Sequence, residues 1–291
     1  MKILGKIKLT VSIVLLLLVS ILLLGGCSNS SAIEREIMVF AGSASKPPMD
    51  EAALAFEERT GIKVNINYGG SGTMLSQMKI SQTGDIYIPG SPDYLVKAER
   101  EGVTDPATTK IVAYLLPVIS VQKGNPESIQ SLTGLTEPGL KVGIGNPSTV
   151  CVGLYAIEIF EKAGMLESVY SNIITNAESC EKTATLLSLK SVDAIIGWDV
   201  FHHWDPENID TVYLQPEQTP RIAYIPAAVS TYSQNIVDAS AFIAFLASSE
   251  GQAIFRKWGY LTDEAEIRKF APDAAIGGEY ELPEVYKALI K

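Results

Sequence analysis

The chain has 291 residues, 47% of them hydrophobic and 19% charged, with a net charge of −10. That is a globular composition, long enough for two modest domains. The acidic balance excludes nucleic acid, which needs a basic footprint, but not a small anion, which backbone N–H groups at helix N-termini can hold.

The first element is an export signal. Lys2, Lys6 and Lys8 precede an apolar run from Leu9 to Leu24, which ends in Leu24-Gly25-Gly26-Cys27. A basic region, an apolar region and small residues before a cut site define such a signal, and the run is short for a spanning helix. The Cys placed after Leu-Gly-Gly resembles the lipobox of bacterial lipoproteins. That resemblance implies cleavage before Cys27, lipid on its thiol and amine, and a body anchored outside the cell membrane. Residues 1–26 are then the signal and 27–35 a tether, flexible through Ser28 to Ala32. Loss of the three signal Lys leaves 20 basic against 33 acidic residues, a mature charge of −13.

The body opens with a short buried strand at Ile37–Phe40 and a polar loop, Ala41-Gly42-Ser43-Ala44-Ser45. Pro47-Pro48 suits the first turn of a helix. Met49, Ala52, Ala53 and Phe56 repeat at helical spacing, and Gly61 stops the helix. Lys63 to Tyr68 alternates as a strand. The loop Gly69-Gly70-Ser71-Gly72 leads to a helix through Met74, Leu75 and Met78. Asp85 to Ile88 is a third strand, and a helix follows near Tyr94 to Arg100. Repeated strand–loop–helix units predict a mostly parallel sheet flanked by helices. In such sheets ligands sit at the C-terminal strand ends, where both polar loops fall.

A second set of elements follows. Tyr114 to Gln122 reads as one long apolar strand, and Lys141 to Gly145 as another. A helix runs from about Val150 to Ala163, and one opens at Ser179 or Cys180 and runs to about Lys190. Asp193 to Gly197 is a strand ending at Trp198-Asp199. A strand returns near Arg221 to Ser230. Ala239 to Leu246 and Glu250 to Trp258 read as amphipathic helices, and the remainder as a surface appendage. No repeat of fixed short period is visible.

From about Ile37 to Tyr260 the chain resembles the periplasmic molybdate/tungstate-binding proteins of ABC importers. Val39 to Ser45, Phe56 to Gly61, Tyr68 to Thr73, Gly84 to Ile88, Gly145-Asn146-Pro147 with Gly153 to Ala156, and Glu250 to Phe255 with Trp258-Gly259-Tyr260 carry the likeness by order and spacing. It implies an α/β, type II periplasmic-binding-protein fold, with two lobes joined by crossing strands and a ligand cleft that closes by hinge motion. The expected division is 36–113 for the first lobe, 114–215 for the second, and 216–291 for the return and the appendage.

A tetrahedral dianion needs many hydrogen-bond donors and no opposing carboxylate. The resemblance implies five contact positions. The first hydroxyl position falls on Ala44, flanked by Ser43 and Ser45. Ser71, beside Gly72, keeps the second. Val152 and Cys180 fall on backbone donors, and the last, usually a Tyr, falls on Gly197, with Trp198 next. Two of the five side-chain roles are thus altered. For Ser43, Ser45 and Ser71 the competing role is simple N-capping.

Cys151 and Cys180 map beside this site, an even pair in a disulfide-permissive compartment. A disulfide, two buried structural thiols, and a thiol pair for a soft ligand are all open. Trp198, His202, His203 and Trp204 cluster after a strand, as lobe packing, cleft rim or permease contact. His residues are confined to that pair, and no metal-spaced cluster or cofactor motif occurs. No nucleophile–base pair stands at motif spacing. The resemblance implies oxyanion (molybdate/tungstate) capture by a lipoprotein, expected to be monomeric and without cofactor or turnover, and delivery to an ABC permease. The alternative is the same fold with phosphate, sulfate, or a soft metal on the two Cys.

Overall fold

The computed structural model describes residues 35–290. The export signal and Cys27 lie outside the described residues. Among the described residues, no helix is long and apolar enough to cross a membrane.

Two sheets organise the chain. The first begins with β1 (Glu36–Gly42), which leads through a 3-10 turn at Ser43–Ser45 into α1 (Lys46–Thr60). Prolines in the first turn start α1 where their missing N–H costs nothing. Gly61 stops it in the left-handed conformation, φ 70°, donating its N–H to Glu57 O. Met49, Ala52, Ala53 and Phe56 point into the core. There Phe56 meets Phe242 edge-on at 5.1 Å between ring centroids. β2 (Lys63–Gly69), α2 (Ser71–Ser81), β3 (Ile86–Ile88) and α3 (Pro92–Arg100) complete two right-sized crossover units. β1 pairs in parallel with both β2 and β3.

The expected single strand from Tyr114 to Gln122 is two. β4 (Lys110–Leu115) belongs to the first sheet and β5 (Pro117–Gln122) to the second. The chain crosses at Leu116, whose N–H donates to the Asp199 carboxylate at 3.0 Å and whose carbonyl accepts from Asp199 N–H at 2.9 Å. An unbroken apolar pattern carries no mark of a change of sheet, because both halves are equally buried.

The second sheet holds β6 (Val142–Gly145), β7 (Ile173–Ala177), β8 (Ala194–Trp198) and β9 (Ile209–Val212), in the order β7-β6-β8-β5-β9. Its helices are α4 (Cys151–Lys162), α5 (Leu166–Tyr170), α6 (Cys180–Ser188) and α7 (Phe201–Trp204). β10 (Arg221–Val229) then returns to the first sheet, antiparallel to β3 and β4. α8 (Ile236–Leu246) and α9 (Ser249–Lys257) cover that sheet.

The two sheets share a plan. Parallel strands in the orders β2-β1-β3 and β7-β6-β8 each end on an antiparallel strand, β10 in one and β5 in the other. This is the two-lobed type II arrangement. The central strands β3, β6 and β8 are buried along their whole length, as parallel strands covered on both faces must be.

The C-terminal residues differ from the expected appendage. α10 (Glu264–Ile267) and Ala271 pack against β4 and β10, and β11 (Ala275–Ile276) pairs with β10. α11 (Glu284–Leu289) then lays buried Tyr286 on the second lobe, edge-on to Tyr170. Pro272 and Gly277-Gly278 read as surface because the apolar anchors between them are widely spaced.

Candidate binding site

The loops after β1, β2, β6 and β7 all end in helices, and the first residues of those helices meet where the lobes face each other. A side chain at Gly90, in the loop after β3, would run into Cys151 Sγ at 2.6 Å and Ala44 Cβ at 2.7 Å, with Ser71 Oγ at 3.7 Å. Cys151 Sγ in turn lies 3.4 Å from Cys180 Sγ. The starts of α1, α2, α4 and α6 thus surround one small volume, two from each lobe. Each start carries first-turn N–H groups with no intrahelical acceptor and the positive end of the helix dipole.

The three serines are not spent on capping their own helices. Ser45 stands at the N-cap of α1 without a side-chain cap bond, and its fully buried hydroxyl has no hydrogen-bond partner. Ser71 is the first residue of α2, after Gly70 at the cap, and its Oγ accepts from Gly90 N–H at 3.0 Å. Ser43 Oγ reaches across the cleft and accepts from Glu181 N–H in α6 at 3.1 Å. A second bond crosses in the other sense, from Gly72 N–H to Thr149 O at 2.8 Å. Gly72, an expected ligand contact, therefore donates to the facing lobe. These bonds join the facing lobes across the cleft. At Gly70 a side chain would strike Thr149 O and Glu178 O, both at 2.8 Å, so only a glycine lets the lobes approach this closely. Outside this contact, a cavity of about 540 Å³ opens along the seam, lined by Tyr68, Thr73, Asn146 and Lys182 among others.

Ala44 is fully buried, and its carbonyl accepts from the Tyr260 hydroxyl at 2.5 Å. Val152 is buried in the first turn of α4. Cys151 and Cys180 are both buried, free thiols in hydrogen-bond contact, with no disulfide between them. Burial pushes the Cys151 thiol well above its ordinary pKa, Cys180 beside it pushes the same way, and Ser71 and Trp198 only partly oppose them. Neutral thiols are what an anion site can tolerate, since a thiolate would repel its ligand.

Gly197 lies in β8, one residue before Trp198. Its side-chain direction faces Ser120 and Phe201. Strand residues alternate in direction, so Trp198 takes the other face. Trp198 is fully buried against Tyr155 at 5.1 Å, and its Nε1 has no hydrogen-bond partner. Tyr155 OH is likewise buried and unpartnered. Tyr87, whose hydroxyl donates to Ser71 O at 2.8 Å, and Tyr94 complete the surround. Burial raises the pKa of all these tyrosines, so they remain neutral donors. Sequence reading missed them because each occupies an apolar core position; the signal was Tyr where Phe would pack as well.

Behind Tyr155 lies a buried ion cluster. Arg221, at the start of β10, donates to Glu158 through Nη2 at 2.7 Å, pairs with Asp93 at 3.0 Å, and covers the Tyr155 ring at 4.5 Å. Asp93 belongs to the first lobe and Glu158 to the second. The cluster therefore joins both lobes at the returning strand, apart from the serine and cysteine centre.

The aromatic group after β8 packs along the seam. The His203 ring crowds Gly259 after α9, His202 Nδ1 lies 2.7 Å from Asp199 O, and the buried Trp204 Nε1 has no partner. Trp204 and Trp258 line an apolar cavity of about 560 Å³ between α1 and α6. Among the described residues, no group of three or more His, Cys, Asp or Glu could hold a metal ion.

Comparison with known proteins agrees with this architecture. The molybdate-binding protein ModA of Escherichia coli is 24% identical over 240 residues, 80% of this chain and 91% of its own length. The Azotobacter vinelandii periplasmic molybdate-binding protein superposes with a TM-score of 0.69 at 16% identity, covering 78% of this chain and all of that one. The Mycobacterium tuberculosis sulfate-binding protein SubI superposes with a TM-score of 0.71 at 17% identity, covering 83% of this chain and 93% of its own. The family model of bacterial extracellular solute-binding proteins matches residues 37–261, and the chain belongs to that family.

Proposed function

We propose that the protein captures a tetrahedral oxyanion, molybdate or tungstate, in the cleft and delivers it to an ABC permease. The observation that carries this reading is the convergence of four helix starts with unpartnered buried donors, Ser45 Oγ, Trp198 Nε1 and Tyr155 OH. The residues at the centre bear hydroxyl, thiol, indole and backbone groups, and none of their side chains is charged. Fixed dipoles of this kind hold a dianion without a counter-ion. Ser43, Ala44, Ser45, Ser71, Cys151, Val152, Cys180 and Trp198 are the proposed ligand shell. Gly72 acts in closure and Gly197 supports Trp198 from behind. We place the lobe division at Leu116 and in the segment between Val212 and Arg221, where the chain changes sheet. In this reading the protein is a monomer, tethered to the membrane by lipid on Cys27.

A second reading is sulfate, favoured by the sulfate-binding neighbour and by the same donor set. Thermal unfolding of the exported protein with molybdate, tungstate, sulfate, phosphate and divalent metals separates them, because a ligand of the native state raises the melting temperature by mass action. A shift with molybdate or tungstate alone supports the first reading. A shift with sulfate alone, or with a metal alone, contradicts it.

A further inference from the structure

Cys151 and Cys180 begin the two helices that the second lobe presents to the cleft, with their sulfurs 3.4 Å apart. Nothing in anion capture requires a pair of thiols there, since backbone N–H groups can serve at both positions. The pair is too poor in donors for a metal: it has two sulfurs, and no third ligand stands beside them among the described residues. Its partners are instead on the other lobe. Gly90 leaves no room for a side chain against the Cys151 sulfur, and the residue after Cys180, Glu181, donates its N–H across the cleft to Ser43 Oγ. Both thiols are at most 2% exposed with the lobes together. Parting the lobes removes that cover and leaves each thiol at a helix start, where the dipole favours the reactive thiolate. The family works outside the cytoplasm, where disulfides form and persist.

We propose that Cys151 and Cys180 are a thiol–disulfide modification site within the cleft, oxidised by exchange with an extracytoplasmic disulfide while the lobes are apart and shielded when they close on ligand. One thiolate attacks the incoming disulfide, forming a mixed disulfide and releasing one thiol. The second cysteine displaces the remaining half. The net change is protein dithiol plus R–S–S–R to protein disulfide plus two R–SH, with the two thiol protons carried by the leaving groups. Bond formation draws the sulfurs from 3.4 Å to about 2 Å. It shifts the Cys151 sulfur that packs against Gly90 and removes both S–H groups from the anion shell, so the oxidised cleft closes less well.

The shielding half rests on the oxyanion reading, and the test keeps the two apart. The exported protein is reduced, freed of reductant, and exposed to oxidised glutathione with and without molybdate, whose binding to the reduced form is measured separately by calorimetry. Residual thiols are alkylated and the products weighed. The expected result is an intramolecular disulfide in the ligand-free protein, reversed by dithiothreitol and absent from Cys151→Ser. Molybdate slows its formation at least tenfold in the wild type but not in Gly70→Ala, whose methyl group props the lobes apart. Should Gly70→Ala fail to fold, Ser43→Ala, which removes one cross-lobe acceptor, takes its place. Absence of the intramolecular disulfide, or an unchanged rate with molybdate bound, overturns the proposal. If molybdate does not bind the reduced protein, molybdate capture falls, and shielding is read with whichever anion raises the melting temperature.

Discussion

Ser71 holds two jobs in one hydroxyl. It accepts from the buried Gly90 N–H and points at the volume between the helix starts. Ser71→Ala leaves that N–H without an acceptor, a loss of about 1–3 kcal/mol in stability. It also takes one charge-assisted bond from the anion, again about 1.5–3 kcal/mol, or roughly ten- to hundredfold in Kd. Calorimetric titration and denaturant melts measure both; a variant with wild-type affinity would remove Ser71 from the shell. The polar loops at Ser43, Ser45 and Ser71 were legible because small polar residues between an apolar strand and a helix have few other uses. Which of Gly197 and Trp198 faces the cleft was not legible, because one residue along a strand reverses the face. Tyr87, Tyr155 and Tyr260 were illegible as donors, since a buried phenol and a buried phenyl leave the same periodic trace.

At the scale of elements, the crossing at Leu116 is bonded to a single buried carboxyl. Asp199 is buried beside Leu116, and burial lifts its pKa to about 7 against the pull of three backbone N–H groups. Its folded pKa stands above the unfolded value of about 3.9. The folded state therefore binds the proton more tightly. Stability from this group is present at low pH and is lost as pH rises from about 4 to about 7, then stays level. Asp199→Asn keeps an acceptor for Leu116 N–H and cannot ionise. Melting curves from pH 5 to 8 are expected to show a smaller fall with rising pH in the variant than in the wild type. An identical fall in both would mean that Asp199 is already ionised across that range. The strands and helices of both sheets could be read from periodicity, but the crossing at Leu116 could not, because local pattern records burial and not which sheet provides it. The edge strand β7 and the anchors around Tyr286 were missed for the opposite reason: exposed or isolated apolar positions give too little pattern.

Across the whole molecule, the two lobes repeat one plan and meet through their helix starts. The helix starts touch through small contacts, Ser43 with Glu181 and Gly72 with Thr149, while the Arg221 cluster joins the lobes at the returning strand. A few hydrogen bonds of about 0.5–1.5 kcal/mol each do not keep two lobes together on their own. An anion that engages donors from both sides adds the differential affinity that shifts the population toward the closed form. The measurement that reaches this claim most directly is small-angle X-ray scattering of the reduced exported protein, without ligand and with saturating molybdate. The account predicts a smaller radius of gyration with molybdate, and no such change in Gly70→Ala. An unchanged radius in the wild type, with molybdate shown to be bound, would contradict it.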